Sequence, residues 1–270
     1  MVEMTKKYKI GTRRFGLINW VGAWTLYKKE VLRFLNVWIQ TIFSPLISSL
    51  LFLLVLSLAI GAERGEVLGV PFIIFLAPGL IAMQVIQQSF SHSSSSFMIG
   101  KIQGNIVDLL YAPLSATEVI ISVSLAAVTR SFMIAAISVL IFYLIIDIQI
   151  RHFFTLILFT FLSSFILGNI GIIAGLWAEK FDHMASVTNF VIVPLSFLSG
   201  TFYTIDRLPG VLRIISEANP FFYMIDGFRY SFIGNADGSI KIGIIYLVIL
   251  SFLSWLAAYI LFKKGYKIKS

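Results

Sequence analysis

Six long apolar runs constrain this chain more than any other feature of its sequence. A helix that crosses the roughly 30 Å hydrocarbon core of a bilayer needs about 20 predominantly apolar residues. The runs do not alternate apolar and polar residues, as the strands of a membrane β-barrel would. We therefore predict an all-α integral membrane protein with six transmembrane helices. The predicted spans are Val37–Ile60, Phe72–Met98, Thr117–Ile146, Phe153–Ala178, Met184–Tyr203 and Ile240–Phe262.

Charge is too scarce in this chain to cover the surface of a soluble domain. Of its 270 residues, 58% are hydrophobic and 13% are charged, whereas charged residues make up about 25% of an average soluble domain. The composition excludes a soluble enzyme, a disordered chain and a disulfide-stapled secreted domain. With 0 Cys, no structural disulfide or cysteine metal site can form.

The placement of Lys and Arg predicts the orientation of the spans. Cytoplasmic segments carry an excess of these residues. Most of the 21 Lys and Arg lie before the first predicted span, after the last one, or at Lys101 and Lys180. Because an even number of spans puts both ends on one side, we predict that both termini are cytoplasmic, in the inner (plasma) membrane of the cell. The net charge of +8 then reflects the excess of Lys and Arg in the predicted cytoplasmic segments. No nucleic-acid partner is expected.

This topology divides the chain into three parts. Residues 1–36 are predicted to be a cytoplasmic N-terminal segment that includes an amphipathic helix. Residues 37–262 form the transmembrane domain, and residues 263–270 form a basic cytoplasmic tail. The N-terminal segment lacks the short apolar region and cleavage site of a signal peptide.

The amphipathic helix is predicted over Leu17–Asn36. Its apolar residues fall near one stripe, and Lys29, Glu30 and Arg33 fall away from that stripe. Two Trp and several cations favour a helix that lies in the cytoplasmic membrane interface. The alternative is a plain basic anchor. The apolar stripe comprises Leu17, Val21, Trp24, Val31, Leu35 and Trp38.

Motifs that would support catalysis or metal binding are missing from the sequence. The three His residues are His92, His152 and His183, and the predicted topology puts the last two at opposite membrane faces. A Ser-rich run at residues 89–96 surrounds His92, but it has no elbow glycines and no carboxylate nearby in sequence. Ser residues that pack or hydrogen-bond between helices are the commoner case. The chain also lacks a P-loop, so any ATPase must be another polypeptide.

Arg130 is the one clear intramembrane charge, in the middle of the third predicted span. Such charges are costly and often functional. It could contact a substrate or a gate, or it could snorkel or pair structurally. No carboxylate lies within a span away from its ends, which argues against proton coupling.

Three glycines on the fourth predicted span, Gly168, Gly171 and Gly175, repeat at three- and four-residue spacing. Small residues at this spacing let helices approach closely. We interpret them first as a packing feature, with a dimer face as the alternative.

Two loops are unusually apolar. The cytoplasmic loop at about residues 100–114 places Ile102, Ile106, Leu109 and Leu110 on one helical face, and Pro113 ends that helix. It could dock into a groove of another protein, or serve only as an interfacial connector. The outer loop, at about residues 204–239, is predicted to hold two short helices that dip into the outer leaflet. Its aromatic residues could anchor it at the interface or line an exit path.

Several short motifs resemble the ABC type-2 transporter permease family, and the resemblance runs from about Trp20 to Lys264. One departure is Thr204, where many members have Pro. The motifs, in order, are QGNIVDLLYAPLS at Gln103–Ser115, PLSFLSGTFY at Pro194–Tyr203, Leu208-Pro209, Asn219-Pro220 and DGFR at Asp226–Arg229.

The resemblance implies six spans, an N-terminal interfacial helix, a cytoplasmic coupling helix and re-entrant outer helices before the sixth span. It implies a dimer of permeases that binds two stand-alone ABC ATPase subunits and exports drugs, lipids or glycans. No cofactor or metal is expected in this chain, because ATP and Mg would bind the ATPase.

The resemblance also implies roles for named positions. Gln103, Gly104, Asn105, Asp108 and Leu109 would contact the ATPase. Trp24, Lys28, Lys29 and Arg33, on the interfacial helix, would flank that contact. Asn189, Ser196, Ser199, Thr201 and Tyr203 would face the translocation path. The expected function is that of the permease subunit of an ATP-driven exporter working by alternating access. The alternatives are an ion-coupled secondary transporter and, less favoured, an intramembrane enzyme.

Overall fold

The computed structural model describes residue 16 and residues 18–268, and helices dominate them. A two-stranded antiparallel hairpin, β1 (Glu66–Val67) with β2 (Val70–Pro71), joins the first two spans. The helices are α1 Trp20–Leu35, α2 Ser44–Arg64, α3 Phe72–Ile102, α4 Ile106–Tyr111, α5 Ala116–Ile146, α6 Phe153–Trp177, α7 Phe181–Val187, α8 Val193–Leu198, α9 Gly210–Ala218, α10 Pro220–Ile233 and α11 Ile240–Lys263.

Six helical segments of the described residues are long and apolar enough to cross a membrane, which confirms the predicted all-α membrane fold. The fifth span ends at Leu198 rather than at Tyr203. Its end is set by Gly200, whose φ of 76° is left-handed and breaks the helix. The six segments are Ile39–Ala59, Phe72–Ile102, Ala116–Ile146, Phe153–Trp177, Phe181–Leu198 and Ile240–Lys263.

Helix α3 is the centre of the bundle. It packs against α5, α6 and α10, and also against α2, and most of its length is buried. The first, fifth and sixth spans bury much less of their surface within the chain. The apolar surface of these three spans is therefore left to lipid or to another protein.

The three glycines of α6 allow α3 to come close. A Cβ on Gly171 would lie 2.5 Å from the Phe90 carbonyl oxygen, and one on Gly175 would lie 2.8 Å from that of Ser94. One on Gly168 would lie 3.3 Å from the Ala127 Cβ on α5. The packing interpretation is therefore confirmed. The alternative of a dimer face at these glycines is wrong, because helices of the same chain occupy that face.

Two spans contain a short π-helical segment, Ile39–Phe43 before α2 and Thr188–Ile192 before α8. Each segment is followed by a proline, Pro45 or Pro194, in the first turn of the next helix. Proline lacks an N–H and clashes with the carbonyl four residues earlier. That carbonyl lies inside the π segment in both cases, so the wider π turn accommodates the proline.

The loop predicted to be cytoplasmic does not form one helix over residues 100–114. Helix α3 ends at Ile102, and α4 covers only Ile106–Tyr111. Gly104 between them has a φ of 76°, a conformation that L side chains rarely adopt. Ile102 therefore lies on a different helix from Ile106, and the predicted shared apolar face is split.

The segment at residues 204–239 contains two α-helices, α9 and α10, as the sequence predicts. Helix α10 is buried against α3 and α6, and its Phe221 and Phe222 are among the core residues. The prediction that these aromatic residues anchor an interface or line an exit path is therefore wrong for both. Helix α9, in contrast, keeps Val211 and Ile214 exposed.

Candidate functional site

The segment from Gln103 to Leu109 forms a compact surface, which we call the coupling surface. The side chains of Gln103, Asn105 and Asp108 are exposed, while Leu109 is half-buried. Asn105 Nδ2 donates to Gln103 Oε1 at 3.0 Å. Together with the left-handed turn at Gly104, this contact fixes how the loop presents its polar groups.

Buried neighbours hold the coupling surface in place. The Ile106 side chain is only 6% exposed and packs in the same apolar cluster as Leu26 of α1 and Val119 of α5. Lys101 donates from Nζ to the carbonyl oxygens of Leu176, at 2.8 Å, and Ala178. The end of α3 is thereby tied to the end of α6.

An ion pair ties the C-terminal tail to the same end of α6. Lys267 Nζ lies 2.7 Å from Glu179 Oε1. The hydrogen bond and the charge of Lys267 lower the pKa of Glu179, and the same bond raises the pKa of Lys267. Both groups are exposed, so the pair positions the tail more than it stabilises the fold.

Glu118 joins the start of α1 to the start of α5. Its Oε1 accepts from the Asn19 backbone N–H at 2.6 Å, and its Oε2 accepts from that of Ser115 at 2.6 Å. Ser115 and Glu118 also form a capping box at the start of α5. Asn19 Nδ2 donates to the Pro113 carbonyl oxygen at 3.1 Å. Helix α1 is therefore attached rigidly to the loop that carries the coupling surface.

Helix α1 presents two different faces. Trp20, Val21 and Trp24 are largely exposed, as an interfacial helix requires, and Lys28 and Lys29 are exposed beside them. A cleft of about 350 Å³ separates α1 from α4. The cleft is lined by the side chains of Val21, Thr25, Lys29, Asp108 and Leu109, among others.

The opposite face of α1 carries an ionic cluster that sequence reasoning missed. Glu30 is only 4% exposed and accepts from Arg33 Nε at 3.0 Å. Arg33 also donates to the His92 carbonyl oxygen at 2.9 Å and to Ser95 Oγ at 3.2 Å. Glu30 is thus a carboxylate that lies close to His92 in space, although the two residues are far apart in the sequence. Its spacing of four residues from the buried Leu26 and Phe34 indicates that Glu30 lies on the buried face of α1, but it does not indicate the partners on α3.

The Ser-rich run packs between helices, which is the commoner of its two interpretations. Ser89 Oγ lies 2.6 Å from Ser131 Oγ of α5. The backbone carbonyl oxygen of Val85 accepts from Ser89 at 2.6 Å and from Ser131 at 3.3 Å.

Arg130 pairs inside the bundle. Its guanidinium donates to Gln88 Oε1 of α3, and its side chain is buried. It lies about 21 Å along α5 from Ala116, at 1.5 Å per residue. The structure therefore contains a structural pairing of Arg130 with an uncharged amide.

The five positions assigned to a translocation path do not share one environment. Ser196, Ser199 and Thr201 are buried and donate to backbone carbonyl oxygens of the same chain at 2.5–2.7 Å. Their hydroxyls therefore face the protein interior in this conformation, which corrects the path assignment for these three. Asn189 is exposed, whereas Tyr203 is half-buried and donates to the Leu198 carbonyl oxygen.

Comparison with known proteins decides the family. A model described as "ABC-2 type transporter" matches residues 22–233. The chain belongs to the ABC-2 type transporter permease family. It is 31% identical over 255 residues to the inner membrane transport permease YadH of Escherichia coli K12, with 94% of this chain and 99% of that protein covered. It is also 24% identical over 254 residues to nodulation protein J of Rhizobium leguminosarum bv. viciae, with 89% and 93% covered.

As an ABC-2 permease with six apolar spans, the chain is a multi-pass inner-membrane protein and a transporter subunit. The family match begins within α1 and ends at the last residue of α10. It therefore includes most of α1, the coupling surface, and helices α9 and α10.

The DGFR motif at the end of that match builds a second buried site, at the other end of α3. Arg229 is 1% exposed and donates from Nη2 to the carbonyl oxygens of Gly200, at 2.7 Å, and Thr201, at 3.2 Å. Its guanidinium also lies 3.9 Å from the centre of the Phe75 ring. Asp226 accepts from the Asp237 and Gly238 backbone N–H groups at 2.8 and 2.9 Å. In this permease the motif therefore ties α10 to the fifth span and to the loop before α11.

Proposed function

We propose that this permease is the membrane subunit of an ATP-driven exporter whose ATPase is a separate chain. The observation that carries the proposal is the coupling surface: exposed polar groups held on a rigid support at the end of α3. A surface that transmits movement from a partner protein must be rigidly connected to the membrane spans. Lys101 and Ile106 supply that connection to α6 and to the core.

In this proposal both termini and the coupling surface are cytoplasmic. The cleft between α1 and α4, with Lys29 and Asp108 on its rim, receives part of the ATPase. Trp24 and Lys28 lie in the membrane interface beside it and keep α1 at the headgroup level. Gln103, Asn105 and Asp108 are the groups that the ATPase contacts, and ATP and Mg bind the ATPase alone.

In this proposal, two copies of the permease form a dimer. They contact each other through the spans that bury the least surface within one chain. ATP-driven closure of two ATPase subunits moves both coupling surfaces, and the two permeases rock to open the outer side. The substrate is an amphipathic drug, lipid or glycan. The partly exposed residues of α3 and the exposed Asn189 support a path between the two copies.

The test is co-purification of the permease with an ABC ATPase encoded beside it, followed by a screen for compounds that stimulate ATP hydrolysis. Replacing Asn105 and Asp108 together by Ala is expected to abolish the stimulation while the permease still folds, because both side chains are exposed. The matched control replaces the exposed Asp182 and Ser186 of α7. Full stimulation in the Asn105/Asp108 double variant would contradict the coupling role.

A further inference from the structure

The contact between α1, α3 and α5 contains two arginines on one face of α3. Gln88, His92 and Ser95 share that face, because they are spaced four and three residues apart. Arg130 reaches it from α5 and bonds Gln88, whereas Arg33 reaches it from α1 and bonds the His92 carbonyl and Ser95. The two guanidinium groups therefore bond positions that are one to two helical turns apart, a rise of roughly 6–10 Å.

Only one carboxylate compensates these two positive charges in the part of the chain that the structure describes. Glu30 pairs with Arg33 at 3.0 Å, and no described ion pair joins Arg130 to an acidic group. Helix α3 contains no Asp or Glu, and the only acidic residue of α5 is Glu118, in its first turn. The middle of the bundle thus carries one uncompensated positive charge.

Hydrogen-bonding capacity at this place is also unused. Arg130 Nε and His92 Nε2 are buried, and neither has a hydrogen-bond partner among the described residues. A guanidinium has five N–H donors, but among the described residues Arg130 has only the Gln88 amide oxygen as an acceptor. A buried cation with unmet donors is costly in a membrane and marks a functional site by default.

The site borders the surface of α3 at Gln88, and a cleft meets it at Arg33. Gln88 is partly exposed, and Ser91, on the next turn of α3, is exposed. A cleft of about 170 Å³ beside the coupling surface is lined by Lys29, Glu30 and Arg33 together with Gln103 and Asn105. Two cations against one carboxylate leave this lining with a net positive charge, which attracts anions toward Arg33.

We propose that Arg130, with Gln88 and Arg33, binds an anionic oxygen group, a phosphate or carboxylate, at the head of an amphipathic molecule. Guanidinium groups hold such oxygens by paired, charge-assisted hydrogen bonds. The exposed apolar side chains of Ile121 and Leu125 on α5 suit an acyl tail. This inference names a substrate class for the proposed exporter and rests on that function only for the transport step, because binding needs no ATPase.

The first test uses the purified permease alone in dodecyl maltoside. Dodecyl phosphate is titrated while the thermal unfolding midpoint is followed, with dodecanol as the neutral probe. A ligand that binds the folded state raises the midpoint with concentration. Dodecyl phosphate is expected to raise it for the parent protein, and Arg130→Gln is expected to weaken the apparent affinity at least about tenfold.

Further variants separate recognition from folding. Arg130→Lys keeps the charge and is expected to restore part of the affinity. Gln88→Leu removes the neutral partner and tests the same site if Arg130→Gln does not fold. Arg213→Gln, an exposed arginine on α9, is the control and is expected to leave the affinity unchanged. Equal affinity in the parent protein and Arg130→Gln, or equal stabilisation by dodecanol, would overturn the proposal.

A second arm distinguishes a bilayer lipid from an exported solute as the source of the anion. Dodecyl phosphate binding is compared in nanodiscs of phosphatidylcholine with and without phosphatidylglycerol. Competition by phosphatidylglycerol supports a lipid ligand, and unchanged binding supports a solute. If dodecyl phosphate binds the parent protein and Arg130→Gln equally well in both kinds of nanodisc, the proposed site is wrong. Binding that depends on Arg130 without any associating ATPase would leave the site standing and reject the export function.

Discussion

At the scale of single residues, Arg229 has the largest structural role that the structure assigns to one side chain. Its guanidinium satisfies carbonyl oxygens at the end of the fifth span and also donates from Nε to the Phe75 carbonyl at 3.3 Å. Gly79 makes room for it, since a Cβ there would lie 2.8 Å from Arg229 Nη2. Three segments distant in sequence therefore depend on one buried cation.

We expect Arg229→Met to destabilise the permease by roughly 3–5 kcal/mol, because it leaves buried carbonyls without donors and Asp226 without its nearby cation. The measurement is thermal unfolding in detergent. Arg213→Met is the matched control, since Arg213 is exposed and pairs only with Asp206 and Glu217 at the surface. Equal midpoints for the two variants would show that the guanidinium contacts carry no stability.

Glu30 shows why the ionic cluster could not be predicted from sequence. Local pattern placed Glu30 and Arg33 on the polar side of an amphipathic helix. The structure buries Glu30 because Arg33 and His92 of α3 meet it, and His92 is 62 residues away along the chain. Hydrophobic periodicity reports one helix at a time and contains no information about such a distant partner.

At the scale of helices, the close contact between α3 and α6 allows a sensitive test of the packing. Gly171→Ala is expected to destabilise the permease by about 1–3 kcal/mol, because the new methyl group would meet the Phe90 carbonyl at 2.5 Å. Gly61→Ala on α2 is the matched control, since its nearest neighbour would lie 3.9 Å away. Thermal unfolding of both variants checks this, and an unchanged midpoint for Gly171→Ala would contradict the close approach.

The spans were predictable to within a few residues, since a run of apolar residues suffices to define a membrane helix. Two details were not. The helix predicted over residues 100–114 is broken at Gly104, and the sequence alone does not predict the left-handed φ of 76° at this residue. The burial of α10 depends on contacts with α3 and α6, so the sequence predicts interfacial or path-lining aromatic residues where the structure has core residues.

At the scale of the whole molecule, the six spans divide into a packed centre and an open periphery. Helices α3, α5 and α6 form the centre, and α1 and α10 pack onto it near its two ends. The buried polar sites follow this plan, with Arg130 between α3 and α5, Arg33 between α1 and α3, and Arg229 between α10 and the start of α3. A movement at the coupling surface would therefore reach the spans through α3.

The candidate site was predicted in part. Resemblance to the family assigned the coupling surface, and the structure places its polar groups at the protein surface. The path residues Ser196, Ser199 and Thr201 were assigned by position along the fifth span. The turn at Gly200 and the contact with Asn219, whose Nδ2 donates to Ser199 Oγ at 2.7 Å, bury them instead. Such turns and long-range bonds depend on tertiary structure.

The most direct test of the account is a cross-link between the coupling surface and the ATPase. Because the chain contains 0 Cys, Asp108→Cys gives a single reactive thiol, and Asp206→Cys gives a control before α9. In membranes that hold both proteins, a bifunctional maleimide should join Asp108→Cys to the ATPase and leave Asp206→Cys unjoined. Labelling of Asp108→Cys from outside intact cells, with no ATPase cross-link, would contradict the account.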